Sequence, residues 1–332
     1  MTDVATTGAR ANGTVKEAGP KRMGFFLVPK FSMIALVSAI EPLRLANRVH
    51  GRALYQWQMF STDGKPVTAS SGIEVGVDAG IADVDNYPVV FVCGGVEVRK
   101  FDDRRVFSWL RRLDRYGAVV GALCTGSDVL ARAGLLDGRR CTIHWENLPG
   151  FAEEFPRLDV TQELFEIDGK RHTCAGGTAA LDLMLNLIAL DHGRDMAVAI
   201  SDQLIHERIR DSRDHQRMTL RSRLGVSHAK LLAVISAMED NQEEPLSCAA
   251  LAEGVGLSTR QMERLFRKYF GRTPTRFYLE LRLDRARLLL SQTTMPVLDV
   301  ALASGFVSAS HFSKCYREQF GRTPREERRV TH

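Results

Sequence analysis

The sequence predicts an α/β domain of the layered, parallel-sheet kind followed by a second domain that is entirely helical. Three observations carry this expectation. At 332 residues the chain exceeds what one core organises, so two domains are expected. Short runs rich in β-branched and aromatic residues alternate with helical patterns up to about residue 209, and no strand candidate follows residue 227. A five-residue string, FGRTP, stands at 270–274 and again at 320–324.

Residues 1–21 are mostly small and polar, lack the apolar stretch of a signal peptide, and are expected to form a disordered leader. No apolar run approaches the roughly 18 residues that cross a bilayer, so no membrane contact and a cytoplasmic location are expected. The first domain, 22–209, carries strand candidates MGFFLVP (23–29), PVVFVCGG (88–95), AVVGALC (118–124), RCTIHW (140–145) and LFEIDGKRHTCAGG (164–177). Amphipathic stretches at 34–49, 104–116, 127–133 and 178–190 lie between them. This alternation predicts a parallel sheet covered by helices on both faces. Residues 210–227 (RDSRDHQRMTLRSRLGVS) are charge-dense with weak periodicity and read as a linker or an exposed helix. Residues 228–332 form the helical domain.

The net charge of +5 is unevenly spread: from Arg213 onward there are 20 basic and 13 acidic residues, net +7, against net −2 before it. A basic C-terminal third favours an anionic polymer such as nucleic acid, although a merely solvated basic surface has the same composition. Six cysteines, Cys93, Cys124, Cys141, Cys174, Cys248 and Cys315, are scattered without a C-x-x-C pair. They are expected to be reduced and individually placed, with no metal site and no cofactor.

The repeat extends beyond FGRTP. Ala252 precedes Gly256-Leu257-Ser258 by the same step that separates Ala301 from Gly305, which Ser308 follows. Two copies of one supersecondary unit are implied, each a short helix, a glycine turn and a second helix capped by serine: a helix-turn-helix. In the first copy Met262, Leu265, Phe266 and Tyr269 form an apolar stripe, which leaves Thr259, Arg260, Glu263, Arg264 and Arg267 outward. In the second, Phe312, Cys315 and Tyr316 face inward and Ser310, Ser313, Lys314 and Arg317 outward. The stretch 274–291 between the units reads as a long helix acting as a rigid spacer. A helical bundle that repeats for structural reasons alone is the competing interpretation.

The pattern from about residue 228 to 329 resembles the AraC/XylS DNA-binding domain. The match includes its G-F-x-S-x-S-H-F-S-K-x-[FY] signature at Gly305, Phe306, Ser308, Ser310, His311, Phe312, Ser313, Lys314 and Tyr316. The resemblance implies a double-stranded DNA operator, RNA polymerase as a partner, a homodimer, and two recognition helices in successive major grooves about 34 Å apart.

In the first domain, AVVGALCTGS runs from a strand directly into Cys124-Thr125-Gly126 and then a helix. A nucleophile at such a turn needs small neighbours, which Ala122 and Gly126 supply. Gly95, at another strand end, could form a second wall, because ligands of open α/β sheets bind at carboxyl ends of strands. This region resembles the flavodoxin-like, PfpI-type domain of the class I glutamine amidotransferase-like superfamily, with Cys124 at the nucleophile position. Joined to an AraC/XylS-type domain it resembles the GlxA family of regulators, most of all those of glycine betaine, dimethylglycine and carnitine catabolism, with arginine-responsive members also related.

The departures from the enzymes matter. Aligning Glu41 with the Glu of their D-x-x-G-P-x-E segment puts Ala35 where they carry an acid, and Thr125 stands where many hydrolytic members carry His. Without a base and an orienting acid, nucleophilic catalysis lacks its parts, and an inherited ligand pocket is expected instead of an enzyme. Cys124, Thr125, Gly95, His144, Trp145, Phe31 and Glu41 are the candidate pocket residues. Trp145, with Phe31 as a second ring, would face a methylated ammonium. Glu41 is equally suited to a local ion pair with Arg44, and Trp145 to the core. The resemblance as a whole implies a ligand-responsive transcription regulator, an activator. A cysteine-dependent hydrolase or hydratase, or a redox sensor using Cys124, is the alternative.

Overall fold

The computed structural model describes residues 19–331, so the leader expected at the N-terminus lies, through residue 18, outside the described residues. The chain opens with β1 (Lys21–Leu27), followed by α1 (Met33–His50) and β2 (Tyr55–Ser61), which returns parallel to β1. Three two-residue strands, β3 (Val67–Thr68), β4 (Glu74–Val75) and β5 (Ala79–Gly80), lead to β6 (Val89–Cys93). Then come α2 (Arg104–Arg115), β7 (Val119–Leu123) and α3 (Gly126–Arg132). An excursion through β8 (Arg140–Cys141), α4 (Leu148–Glu154) and β9 (Asp159–Val160) precedes the hairpin β10 (Phe165–Asp168) and β11 (Arg171–Cys174). Helices α5 (Ala179–His192) and α6 (Arg194–Gln203) close the domain.

Seven strands make the main sheet, in the order β10-β11-β7-β6-β1-β2-β5. Every neighbouring pair is parallel except β10 with β11, so the sheet is mixed at one edge where a parallel one was expected. The tight turn at Gly169, held at φ +58°, folds that edge back on itself. The central strands β6 and β7 are buried on both faces, hence their unbroken apolar text. Phe25, Phe91 and Leu123 join the core beneath α1 and α5, whereas Phe26, Val90 and Ala122 join the core on the α2 side. RCTIHW yields only the two residues of β8. There Thr142 leaves the ladder, donating its N–H to the Thr173 hydroxyl and its own hydroxyl to the Glu163 carbonyl at 2.8 Å. His144 and Trp145 therefore sit in a loop.

The segment after α6 is not free. Asp182, wholly buried in α5, accepts from the backbone N–H of Arg210 at 2.8 Å and its Nε at 2.9 Å, and its carboxylate lies 2.9 Å from His206 Nε2. Gln216 donates to the Thr142 hydroxyl and the Glu163 carbonyl, both at 2.9 Å. Residues 210–216 are thus laid along the first domain, because their polar groups complete bonds that its loops leave open.

The helical domain comprises α7 (Leu220–Leu224), α8 (Ala229–Asp240), α9 (Cys248–Glu253), α10 (Thr259–Phe270), α11 (Pro274–Gln292), α12 (Val297–Ala303), α13 (Ala309–Phe320) and α14 (Pro324–Thr331). It holds two cores. Leu231, Ile235, Leu251, Met262 and Phe266 form one with Tyr278 of α11. Val300, Ala301, Phe306, Phe312 and Tyr316 form the other with Leu283, Ala286 and Leu290, further along the same helix. At 19 residues, α11 is about 28 Å long and rigidly spaces the units. Its far end also meets the first domain: Arg285 lies 3.5 Å from Glu153 of α4, and a Cβ on Gly150 would stand 2.9 Å from the Thr293 methyl.

Candidate nucleic-acid interface and sensor site

Each helix-turn-helix unit turns at a glycine in the left-handed region, Gly256 at φ +64° and Gly305 at φ +73°. Ser258 caps α10 in a reciprocal capping box with Gln261, and Ser308 caps α13 by accepting from the His311 N–H. Met262 and Phe266 are wholly buried, as are Phe312 and Tyr316, which fixes the opposite face of each helix outward. Thr259, Arg260, Glu263, Arg264 and Arg267 are all exposed on α10. Ser310, Lys314 and Arg317 are exposed on α13, and Ser313 is half-buried. Tyr269 departs from the expected stripe: it is exposed, its ring set edge-on to His228. The inward face of α10 rotates past it within the last turn. Among the described residues, no salt bridge engages Arg260, Arg264, Arg267 or Lys314, so their charges remain available to an anionic partner.

The turns are clamped by cations that sequence reasoning missed. Lys230 of α8 donates to the Gly256 carbonyl at 2.9 Å. Arg282 of α11 donates to the Ser304 and Gly305 carbonyls, each at 2.9 Å, and lies over the Phe306 ring. Each cation comes from the helix preceding its unit, and each satisfies a carbonyl that the end of a helix leaves open. Their positions one helix upstream in each repeat were the available signal.

In the first domain Cys124 directly follows β7 at φ +58°, a strained conformation for a residue with a Cβ. The elbow depends on small neighbours: a Cβ on Gly126 would stand 2.1 Å from the Val92 carbonyl oxygen, and one on Gly176 2.6 Å from Cys124 Cβ. Cys124 is only 8% exposed. Burial pushes its thiol up to about 11; the Thr125 N–H opposes this and the Glu146 carboxylate adds to it. Among the described residues, no imidazole or carboxylate is hydrogen-bonded to its sulfur. A protonated thiol without a base lacks the activation that nucleophilic or peroxide chemistry requires.

The expected pocket residues divide. Thr125 is buried, its hydroxyl donating to the Gly95 carbonyl at 2.6 Å, and Gly95 pairs with Phe31 in an antiparallel bridge. Thr125, Gly95 and Phe31 therefore build the scaffold behind the elbow. Phe31 is wholly buried in the core and presents no ring to a ligand, a correction to its expected role as a second aromatic wall. Glu41 is engaged by Arg44, whose Nε and Nη2 donate at 2.9 and 2.6 Å, so the local ion pair is the outcome. His144 and Trp145 do come together, with ring centres 5.5 Å apart. Burial pushes the His144 imidazole down, against the neighbouring Glu146 charge. Trp145 is 37% exposed, and the Arg217 guanidinium lies 4.5 Å from its ring centre. Neither Glu146 nor Arg217 stood out in the sequence.

Residues 21–190 match the model of the DJ-1/PfpI family, and residues 251–329 that of a helix-turn-helix domain. The chain is 49% identical over 309 residues to the HTH-type transcriptional regulator GbdR of Pseudomonas aeruginosa, covering 93% of this chain and 84% of that protein. It is 51% identical over 306 residues to the HTH-type transcriptional regulator CdhR of the same species, covering 92% and 91%. The HTH-type transcriptional regulator GlxA of Rhizobium meliloti is 40% identical over 310 residues, covering 93% and 96%. Among solved structures, an AraC family transcriptional regulator from Pseudomonas putida matches with a TM-score of 0.51 and 29% identity, over 56% of this chain and 100% of that one.

Two capped recognition helices on a shared connector, carried by a flavodoxin-like DJ-1/PfpI domain, make this a DNA-binding transcription regulator. The chain belongs to the family of HTH-type transcriptional regulators that includes GbdR, CdhR and GlxA.

Proposed function

We propose that this regulator binds a duplex operator with both helix-turn-helix units, as a cytoplasmic homodimeric activator working with RNA polymerase. Its effector is a small methylated amine bearing a carboxylate, of the glycine betaine or dimethylglycine kind. Thr259, Arg260, Glu263, Arg264 and Arg267 read one half-site, and Ser310, Ser313, Lys314 and Arg317 the other. The exposure of all of these but the half-buried Ser313 supports this.

The observation that carries the effector class is that the half-exposed Trp145 ring and the Glu146 carboxylate are consecutive in one loop. An indole 37% exposed beside a carboxylate offers a cation both a π-face and a counter-charge, and the same carboxylate acts on Cys124 at the elbow. Calorimetry on the full chain with glycine betaine tests this. Trp145→Ala is expected to weaken binding by about fivefold or more, and Trp145→Phe by much less. Equal affinities in wild type and Trp145→Ala would contradict the assignment.

A further inference from the structure

The face of Trp145 is not empty. The Arg217 guanidinium lies over it, 4.5 Å from the ring centre, and it comes from the segment that joins the two domains. Arg217 cannot drift freely, because Gln216 beside it is tied to the Thr142 hydroxyl, the Ile143 carbonyl and the Glu163 carbonyl at 2.9, 3.1 and 2.9 Å. The same guanidinium stands 4.0 Å from Glu239 of α8, a carboxylate that Arg223 of α7 grips through both oxygens at 2.9 Å. Trp145, Arg217 and Glu239 thus form a continuous contact from the sensor loop to α8, the helix that precedes the first helix-turn-helix unit and shares its core. The loop carrying Trp145 also runs straight into α4, where Glu153 meets Arg285 of the connector α11.

One position over an indole face admits one cation. We propose that Arg217 is a built-in surrogate for the effector's ammonium. It caps Trp145 in the effector-free protein, and a methylated ammonium acts by displacing it, which releases residues 212–224 and changes how α7 and α8 are held against the sensor. The proposal rests on the reading that Trp145 lines the effector site. It gives the ligand a differential affinity for two states: the displaced state offers the cation a face that the capped state does not. Arg217 is then both competitor and transmitter. Its loss raises effector affinity by the inverse of the fraction of molecules uncapped at rest.

The test is calorimetry on the full chain with two probes at matched ionic strength, glycine betaine and tetramethylammonium chloride, in wild type, Arg217→Gln, Trp145→Ala and the double variant. Hydrogen–deuterium exchange of residues 212–224 is followed in parallel, with Arg217→Lys as the conservative variant. Arg217→Gln is expected to bind both probes about threefold to tenfold more tightly, and to add nothing in the Trp145→Ala background. In wild type the probes should speed exchange at 212–224, whereas Arg217→Gln should exchange fast without them, and Arg217→Lys should fall between. If Arg217→Gln binds no more tightly while Trp145→Ala still weakens binding, the surrogate role is wrong and the effector site stands. If Trp145→Ala binds as wild type, or neither probe binds at all, the effector site falls and the surrogate role with it.

Discussion

Arg282 reaches from the connector helix α11 to the turn of the second helix-turn-helix unit, its Nη2 donating to the Gly305 carbonyl at 2.9 Å. Its Nε holds the preceding Ser304 carbonyl at the same distance, so one guanidinium fixes the angle at which α13 leaves the turn.

Replacing Arg282 with Met keeps the stem over Phe306 but removes both bonds. A hydrogen bond to a charged group contributes about 1.5–3 kcal/mol, so operator affinity should fall by roughly tenfold or more. The loss should come from the half-site under α13. Anisotropy titrations against operators altered in one half-site or the other would show this: indifference to changes under α13 is expected in Arg282→Met, with full sensitivity under α10. Lys230→Met, which removes a single exposed bond to Gly256, should cost less.

Among the described residues, Arg260 and Arg264 have no ion-pair partner on the exposed face of α10. An arginine bidentate to a base is worth about 1–3 kcal/mol of discrimination, whereas one on a phosphate weakens all sequences alike and lowers the salt slope by about one. Arg260→Ala and Arg264→Ala should each reduce operator binding, and the salt dependence sorts them into these classes. Wild-type affinity in both would mean that another face of α10 meets DNA.

On α13 two of the four outward groups are short hydroxyls, Ser310 exposed and Ser313 half-buried, beside the longer Lys314 and Arg317. Such hydroxyls favour weaker or water-mediated readout. The unit built on α10 should therefore contribute more specificity. Systematic substitution of an operator selected from random duplexes measures this, and a stronger half-site under α13 would reverse it.

Cys124 should be slow to react at neutral pH, since its thiol is pushed up to about 11. Below about pH 8 the thiol is protonated folded and unfolded. Above that an unfolded thiol ionises while the folded one keeps its proton, so the native state is progressively disfavoured as pH rises toward 11. Cys124→Ala should abolish that part of the alkaline loss, leave operator binding intact, and remove no amide or nitrile hydrolysis. Iodoacetamide labelling across pH 7–10 provides the check; fast labelling at pH 7 would show an activated thiolate.

How much of this was legible follows from what each residue depends on. The strands β6 and β7 could be read directly, because burial on both faces leaves an unbroken apolar run. Gly305 and Ser308 could be read because a left-handed turn and a cap restrict residue type locally. The elbow at Cys124 showed through its small neighbours. Phe31 could not be placed, because a bridge to Gly95, remote in sequence, turns its ring into the core. β2 escaped notice because Gln56 and Gln58 interrupt its apolar text although the strand lies within the sheet. Arg282 is marked only by its place one helix upstream of its unit, as Lys230 is of the other, and nothing local marks Arg217 for the distant Trp145 ring.

Hydroxyl-radical footprinting of the full chain on a duplex selected from a random pool tests most directly whether both units read DNA. The expected result is two protected tracts on one face of the duplex, about one helical turn apart, with Arg264→Ala erasing one and Lys314→Ala weakening the other. A single protected tract, unchanged by Lys314→Ala, would contradict it.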